Sequence, residues 1–351
     1  MRILHLLSSN KFSGAENVVC QIIEMFRGDT EKEFIYCSPD GAIRQALQER
    51  DVSFVPMSKL SVSAFKEIVQ EVKPDIVHAH DMKASVLAAA CVGRIPLISH
   101  VHNNNFNSQK PTLKAILYRY AAAKAKHIFW VSQSSMTGYY FHKGLEKKST
   151  VLYNVIDAEQ LQQKAAQAEC QTTYDIVYVG RLTYQKNPQR LIKVLKEVVK
   201  QQPNLKAAVI GIGDLEAEVQ RLVAEENLQD NVYCLGFMSN PYGILKNSKV
   251  MLMTSRWEGT PMCALEAMAL GVPIVSTPTD GLCELVENGK TGYLNNEDEM
   301  LVHDSLKLVC DNEKQRVFSA AIAARAKEML DVAQYKSVLG KIYTLYGCSD
   351  C

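Results

Sequence analysis

Lys249–Thr277 reads "KVMLMTSRWEGTPMCALEAMALGVPIVST", and its reading decides the fold. "KVMLMTS" (249–255) and "VPIVST" (272–277) are short continuous apolar runs, the signature of buried strands. Between them, "PMCALEAMALG" (261–271) opens on proline and closes on glycine, the order that starts and stops a helix. Two strands apolar on both faces, joined through a helix, describe a parallel pair covered on both sides. The passage also holds two carboxylates: Glu258 in the loop after the first strand, and Glu266 more than one turn into the helix. A carboxylate among Ala, Leu and Met is costly to bury without a partner, and ribose hydroxyls would supply one.

Outward from this stretch, the alternation runs the length of the chain. "YDIVYVG" (174–180), "KAAVIG" (206–211) and "NVYCLG" (231–236) precede it as strands with helical patterns between them. Further back come "RILHLL" (2–7), "EFIYC" (33–37), "SFVPM" (53–57), "DIVHAH" (75–80), "PLISHVH" (96–102), "HIFWVS" (127–132) and "TVLYNVID" (150–157). The polar, aromatic-poor "AEQLQQKAAQAECQTT" (158–173) separates the two series and reads as a linker. The pattern predicts two Rossmann-like, doubly wound parallel-sheet α/β domains in tandem, residues 1–155 and 156–330. Ligands of such sheets sit at the carboxyl ends of the strands, so the site is expected in a cleft between the domains.

With 351 residues, 47% of them hydrophobic and 22% charged, the chain has room for two cores and is neither disordered nor fibrous. Its apolar runs are too short to span a membrane, and "MRILHLLSSNKFSGAE" turns polar too soon for a signal peptide. The ten cysteines lack metal-ligand spacing, apart from Cys348 and Cys351 at the tail, and read as reduced thiols. The expected location is cytoplasmic, peripheral on the inner face of the cell membrane. Net charge is +1 but uneven: residues 1–155 hold 19 Lys and Arg against 13 Asp and Glu, and residues 81–148 hold ten against two. An anionic partner for the N-terminal half is implied, and nucleic acid is not among the partners expected.

Two further segments bear chemistry. In "GRLTYQKNPQRLI" (180–192), Gly180 and Arg181 follow a strand, and Lys186 precedes a helix start at Asn187-Pro188. Two fixed cations there suit a diphosphate, although solvated loop charge is the plainer alternative. In "GIGDLEAEV" (211–219), Gly211 and Gly213 would let backbone amides and a helix N-terminus face a phosphate. The third glycine of a dinucleotide fingerprint is missing, and Asp214 suits an ordinary N-cap. With no Asp-x-Asp in the chain, neither a metal ion nor another cofactor is expected.

Glu258-x₇-Glu266, the "GRL…K" segment, "VPIVST…DG" and "TGYL" (291–294) together resemble the retaining nucleotide-sugar glycosyltransferases of the GT-B fold, family 4, also called group 1. "SNKFSGAE" (9–16) and "NVID" (154–157) are similar to that family's N-terminal loop and interdomain segment, so the resemblance spans nearly the whole chain. It implies that Arg181 and Lys186 hold the donor diphosphate and Glu266 the ribose. It further implies that Glu258, with Gly259, Thr260, Pro261 and Met262, holds the sugar, and that Gly180, Gly211 and Gly213 line the donor site. Gly14 would let the N-terminal loop approach the phosphate. His102 would contact the donor sugar, with His100 as the second match and His78 and His80 as pocket or core histidines. Asn103–Asn105 stand where the family commonly has a glycine or an acidic residue. The last helix resembles the segment (331–347) that crosses back to the first domain.

The reaction implied is metal-independent transfer of a sugar, with retained configuration, from a UDP-linked donor to a glycan or lipid-diphosphate-linked acceptor during bacterial surface polysaccharide synthesis. Glu266→Ala and Lys186→Ala are expected to abolish it with the fold intact. On the acceptor side, Leu113, Ile116, Leu117 and Tyr120 alternate with Lys114, Arg119, Lys124 and Lys126. That pattern suits an anionic membrane surface, a lipid diphosphate or an ordinary helix covering the sheet. Rival readings are a nucleotide-sugar 2-epimerase and a catalytically inactive partner subunit. Sugar, base, acceptor and oligomeric state are not encoded in any motif.

Overall fold

The computed structural model describes residues 1–102, 108–168 and 172–347. The chain divides into two compact units, Met1–Asn154 with Val332–Cys351, and Val155–Asp331. Cys170, Asn103–Asn105 and the Cys348/Cys351 pair lie outside the described residues.

The first unit carries strands β1 (Arg2–Leu6), β2 (Glu33–Pro39), β3 (Phe54–Met57), β4 (Ile76–His80), β5 (Leu97–Val101), β6 (His127–Trp130) and β7 (Ser149–Val151). All pairs are parallel, in the order β3-β2-β1-β4-β5-β6-β7. The second carries β8 (Ile176–Val179), β9 (Ala207–Ile210), β10 (Val232–Gly236), β11 (Val250–Met253), β12 (Ile274–Ser276) and β13 (Gly292–Leu294), also parallel, in the order β10-β9-β8-β11-β12-β13. The central strands are buried along their length because Val, Ile, Leu and Met face helices on both sides. Strand order reverses between β1 and β4 in one sheet and between β8 and β11 in the other. At those switch points the outgoing loops part and leave a crevice at the carboxyl edge.

Two expectations change. The supposed linker forms a helix, Ala158–Gln167: the Asp157 side chain caps it by accepting from the Gln160 N–H, and Leu161 and Ala165 fall on one face, packed in the second core. β13 went unread because three residues at a sheet edge leave too little pattern. The closing helix Val332–Gly347 belongs to the first unit, where it buries Tyr335, Leu339 and Tyr343 at helical spacing. Among the described residues, no helix is long and apolar enough to cross a membrane.

Candidate functional site

At the switch point of the second sheet, the loops after β8 and β11 are joined by both backbone and side chains. The Arg256 N–H donates to the Gln185 carbonyl at 2.8 Å, Gln185 Nε2 to the Trp257 carbonyl at 3.0 Å, and Thr254 Oγ1 to the Asn187 carbonyl at 3.0 Å. Arg256 also binds Asn187 Oδ1 at 2.9 Å and lies over the Tyr184 ring. Asn187 therefore precedes the helix Pro188–Gln201 without capping it through its side chain.

This stitching brings Lys186 and Glu258 together. Lys186 Nζ donates to Glu258 Oε1 at 2.6 Å, with side chains only 11% and 5% exposed. Ser255 Oγ donates to the same oxygen at 2.6 Å, and Gln185 Nε2 reaches Oε2 at 3.5 Å. Burial is the largest influence on the Lys186 ammonium and lowers it, but the charge and hydrogen bond of Glu258, together with Cys263, outweigh it and the pKa is raised. Lys186 is therefore a fixed cation whose partner is the carboxylate assigned by resemblance to the sugar. Removing Lys186 would leave Glu258 as an uncompensated buried charge, so an intact fold is not the expected result of Lys186→Ala.

The remaining donor-side positions divide. Arg181 is exposed on the same loop, and its carbonyl accepts from the Tyr178 hydroxyl at 2.9 Å. Gly180, Gly211 and Gly213 meet in the packing of two loops. A side chain on Gly211 (φ +136°) would overlap the Gly180 carbonyl, and one on Gly213 the Leu182 carbonyl. That close approach accounts for both glycines without a ligand. The next helix begins only at Glu216, with Leu215 at the N-cap position, so Gly213 does not open it and Asp214 does not cap it. Glycine is likewise required at 281, where any side chain would overlap the Gly259 carbonyl.

Gly259, Thr260 and Pro261 are buried, and the helix Met262–Ala269 starts with Pro261 at its N-cap. Pro261 has no N–H, so only its neighbours can donate. Glu266, half-buried on that helix, is held apart from the Lys186–Glu258 pair by its own bond: its Oε1 accepts from the Tyr242 hydroxyl at 3.2 Å. Burial pushes its carboxyl up to about 7, against the opposing effects of Tyr242 and Lys164. Cys263 feels Lys186, Glu258 and Glu266, yet burial holds its thiol up at about 12, leaving it uncharged and inert.

In the first unit, Gly14 is exposed at the start of the helix Gly14–Met25, with open space where a side chain would sit. His102 follows β5 and is buried; its N–H donates to Asp81 Oδ1 at 2.9 Å. Asp81, at the end of β4, holds a left-handed φ of 69°, uncommon for a residue with a side chain. His5, His78, His80 and His100 share one sheet face with it, because His5 pairs in register with His78 and His80 with His100. The sequence reading left out His5, Asp81, Ser255, Gln185 and Tyr242. The position of Ser255 three residues before Glu258 was a usable signal, whereas the others depend on strand register or loop pairing.

Two doubly wound parallel units, one with a buried cation–carboxylate pair at its switch point, define a GT-B fold. Residues 159–325 match the family described as Glycosyl transferases group 1, and residues 12–160 the one described as Glycosyltransferase Family 4. The chain belongs to this family of group 1, family 4 glycosyltransferases. It is 32% identical over 254 residues to an uncharacterised glycosyltransferase of Methanocaldococcus jannaschii, an alignment covering 65% of this chain and 63% of that one. It is 24% identical over 324 residues, 84% of each chain, to the UDP-Gal:α-D-GlcNAc-diphosphoundecaprenol α-1,3-galactosyltransferase of Escherichia coli. Among solved structures, the Anabaena protein HepE in complex with UDP-glucose superimposes with a TM-score of 0.85 at 22% identity, over 98% of this chain and 99% of that one.

Proposed function

We propose that the chain transfers a sugar from a UDP-linked donor, with retained anomeric configuration, to a glycan or lipid-diphosphate-linked acceptor in bacterial surface polysaccharide synthesis. The observation that carries this reading is the buried Lys186–Glu258 pair at the switch point of the second sheet, with Arg181 exposed on the same loop. Lys186 and Arg181 offer the leaving diphosphate two cations, which compensate its charge without a metal ion. Glu258, whose Oε1 is already held by Lys186 and Ser255, positions sugar hydroxyls and is not a covalent nucleophile. Glu266 takes the ribose hydroxyls beside Tyr242. In the front-face route, the anomeric C–O bond to the diphosphate breaks as the acceptor oxygen bonds the same face, and the acceptor's proton passes to the leaving phosphate oxygen. The UDP donor is supported by the names of the two relatives that carry UDP-Gal and UDP-glucose.

The first unit takes the acceptor at a membrane surface. The helix Leu113–Lys124 buries Ala115, Tyr118, Ala121 and Ala122, and leaves Leu113, Ile116, Leu117 and Tyr120 exposed. An outward apolar stripe among lysines supports docking on anionic lipid. Transfer assayed with a panel of nucleotide sugars tests the reading, with thermal shift by UDP, GDP and ADP to choose the base. A ligand at 100 times its Kd adds about 2.7 kcal/mol. No transfer and no nucleotide-dependent shift would contradict it.

A further inference from the structure

Five histidines stand together on one face of the first sheet, and three of them form a hydrogen-bonded line. His5 Nδ1 meets His80 Nε2 at 2.9 Å, and His80 Nδ1 meets His102 Nε2 at 2.8 Å. His78 is tied elsewhere, to the Tyr343 hydroxyl at 2.8 Å, and neither nitrogen of His100 has a partner among the described residues. Burial lowers His5 and His102 to about 3 and His80 well below its ordinary value, so each ring is neutral and carries one N–H.

Proton counting then leaves two arrangements. Three neutral rings hold three protons, and two ring-to-ring bonds use two of them. The third must sit at one end of the line, on His5 Nε2 or on His102 Nδ1, and both of those atoms are buried without a partner among the described residues. An unsatisfied buried N–H is a rarer and costlier defect than an unsatisfied acceptor. His5 is wholly enclosed within its strand and stacks on Phe34, whereas His102, although its Nδ1 is itself enclosed, stands just past the carboxyl end of β5 with 7% of the residue exposed. The spare proton belongs at the His102 end.

We propose that His5 and His80 are positioning residues that fix the tautomer of His102, so that it presents Nδ1–H as a hydrogen-bond donor to a ligand oxygen at the carboxyl end of β5. The inference rests on the proposed function for the identity of that oxygen, but the tautomer itself does not. Asp81 holds the His102 backbone while His80 holds its ring, which fixes the direction of the Nδ1–H as well as its presence.

A metal centre is the competing use of such a cluster, since donor atoms of His80, His100 and His102 lie within 4.8 Å of one another. His100 stacks on His102, however, with centroids 4.2 Å apart at 24°, while His80 and His102 meet edge to edge with facing nitrogens 2.8 Å apart. Imidazole lone pairs lie in the ring plane, so the stacked His100 does not aim one at the His80–His102 gap, and nitrogens already within hydrogen-bond distance leave no room for an ion between them. The face is built for ring-to-ring bonds.

The test is ¹⁵N-histidine NMR of the full chain, with two-bond proton–nitrogen correlations that report the tautomer of each ring, beside steady-state transfer kinetics and UDP titration. The wild type should show His102 in a single Nδ1–H form. In His80→Phe, which keeps an aromatic ring in the stack, His102 should populate both tautomers. KM for the UDP-sugar should rise about tenfold, the loss of one hydrogen bond, with the Kd for UDP alone unchanged. His5→Phe keeps the His80–His102 bond and should mix the tautomers less, with a smaller rise in KM. An Nε2–H form in the wild type, or a His102 tautomer indifferent to His80→Phe, overturns the inference and leaves the transferase reading standing. Zinc or nickel retained stoichiometrically by the wild type and lost in His80→Phe also overturns it. A fixed Nδ1–H form without transfer from any nucleotide sugar sustains the tautomer assignment and removes the transferase reading.

Discussion

At the switch point of the second sheet, Lys186 and Glu258 are buried as opposite charges 2.6 Å apart, whereas six histidines, His127 of β6 among them, are buried in the first sheet as neutral rings. The ion pair escapes the cost of burial only while both partners remain, because either alone is an uncompensated charge. The histidines avoid that cost by giving up charge, and satisfy part of their hydrogen bonding along a line of rings. The difference teaches what each edge can offer a ligand. The charged edge can exchange an internal carboxylate for an external phosphate, whereas the neutral edge can only donate or accept a directed hydrogen bond.

The largest expected effect breaks the charged edge. Lys186→Ala should lower transfer about 10³-fold and, by leaving Glu258 buried alone, cost about 3–5 kcal/mol in denaturant unfolding. The double variant Lys186→Met/Glu258→Gln should recover much of that stability and none of the transfer. Equal stability of the wild type and Lys186→Ala would mean that the pair is not buried as described. Next, Glu258→Gln should cut kcat about 10²-fold. Its calorimetric Kd for UDP should stay equal or tighten, because Lys186 no longer shares its charge with a carboxylate.

A smaller effect is carried by pH. Glu266 has its carboxyl raised from the ordinary 4.5 to about 7, so the fold favours its neutral form. That contribution to stability is complete below pH 4.5 and is lost as pH rises through 7. Wild type should therefore lose about 1–3 kcal/mol relative to Glu266→Gln across this window, seen by denaturant unfolding at several pH values. UDP affinity should run the other way, rising toward pH 8 as the carboxylate proposed to take the ribose ionises, and staying flat in Glu266→Gln. The smallest effect sharpens the neutral edge. The His100 ring makes no hydrogen bond among the described residues, so His100→Phe should change unfolding by no more than about 1 kcal/mol and leave the transfer rate near wild type.

Much of this was legible in the sequence, for physical reasons that differ by element. Central strands such as Val250–Met253 are apolar on both faces, which gives an unbroken run that can be read without partners. The start of the helix after Asn187 was legible because proline fixes the first helical residue, even though the Asn187 side chain serves Arg256. The Ala158–Gln167 helix was hidden because its buried face rests on only Leu161 and Ala165, too few to outweigh the polar residues around them. In the candidate site, Glu266 could be picked out as a costly charge in apolar surroundings, and Lys186 and Glu258 by their places in loops at the carboxyl ends of strands. Their pairing could not, because it depends on loops 72 residues apart being stitched together. The histidine line was invisible for the same reason: His5 joins it only through the register of β1 on β4.

On the function proposed above, the second unit holds a nucleotide-sugar donor through Lys186 and Glu266. Isothermal titration of UDP into the full chain tests it most directly, beside Lys186→Met and Glu266→Gln at pH 8. One site is expected in the wild type, with affinity weakened at least about tenfold in each variant, the loss of one charged or bidentate contact. Equal affinity in all three proteins, or no binding by the wild type, would contradict it.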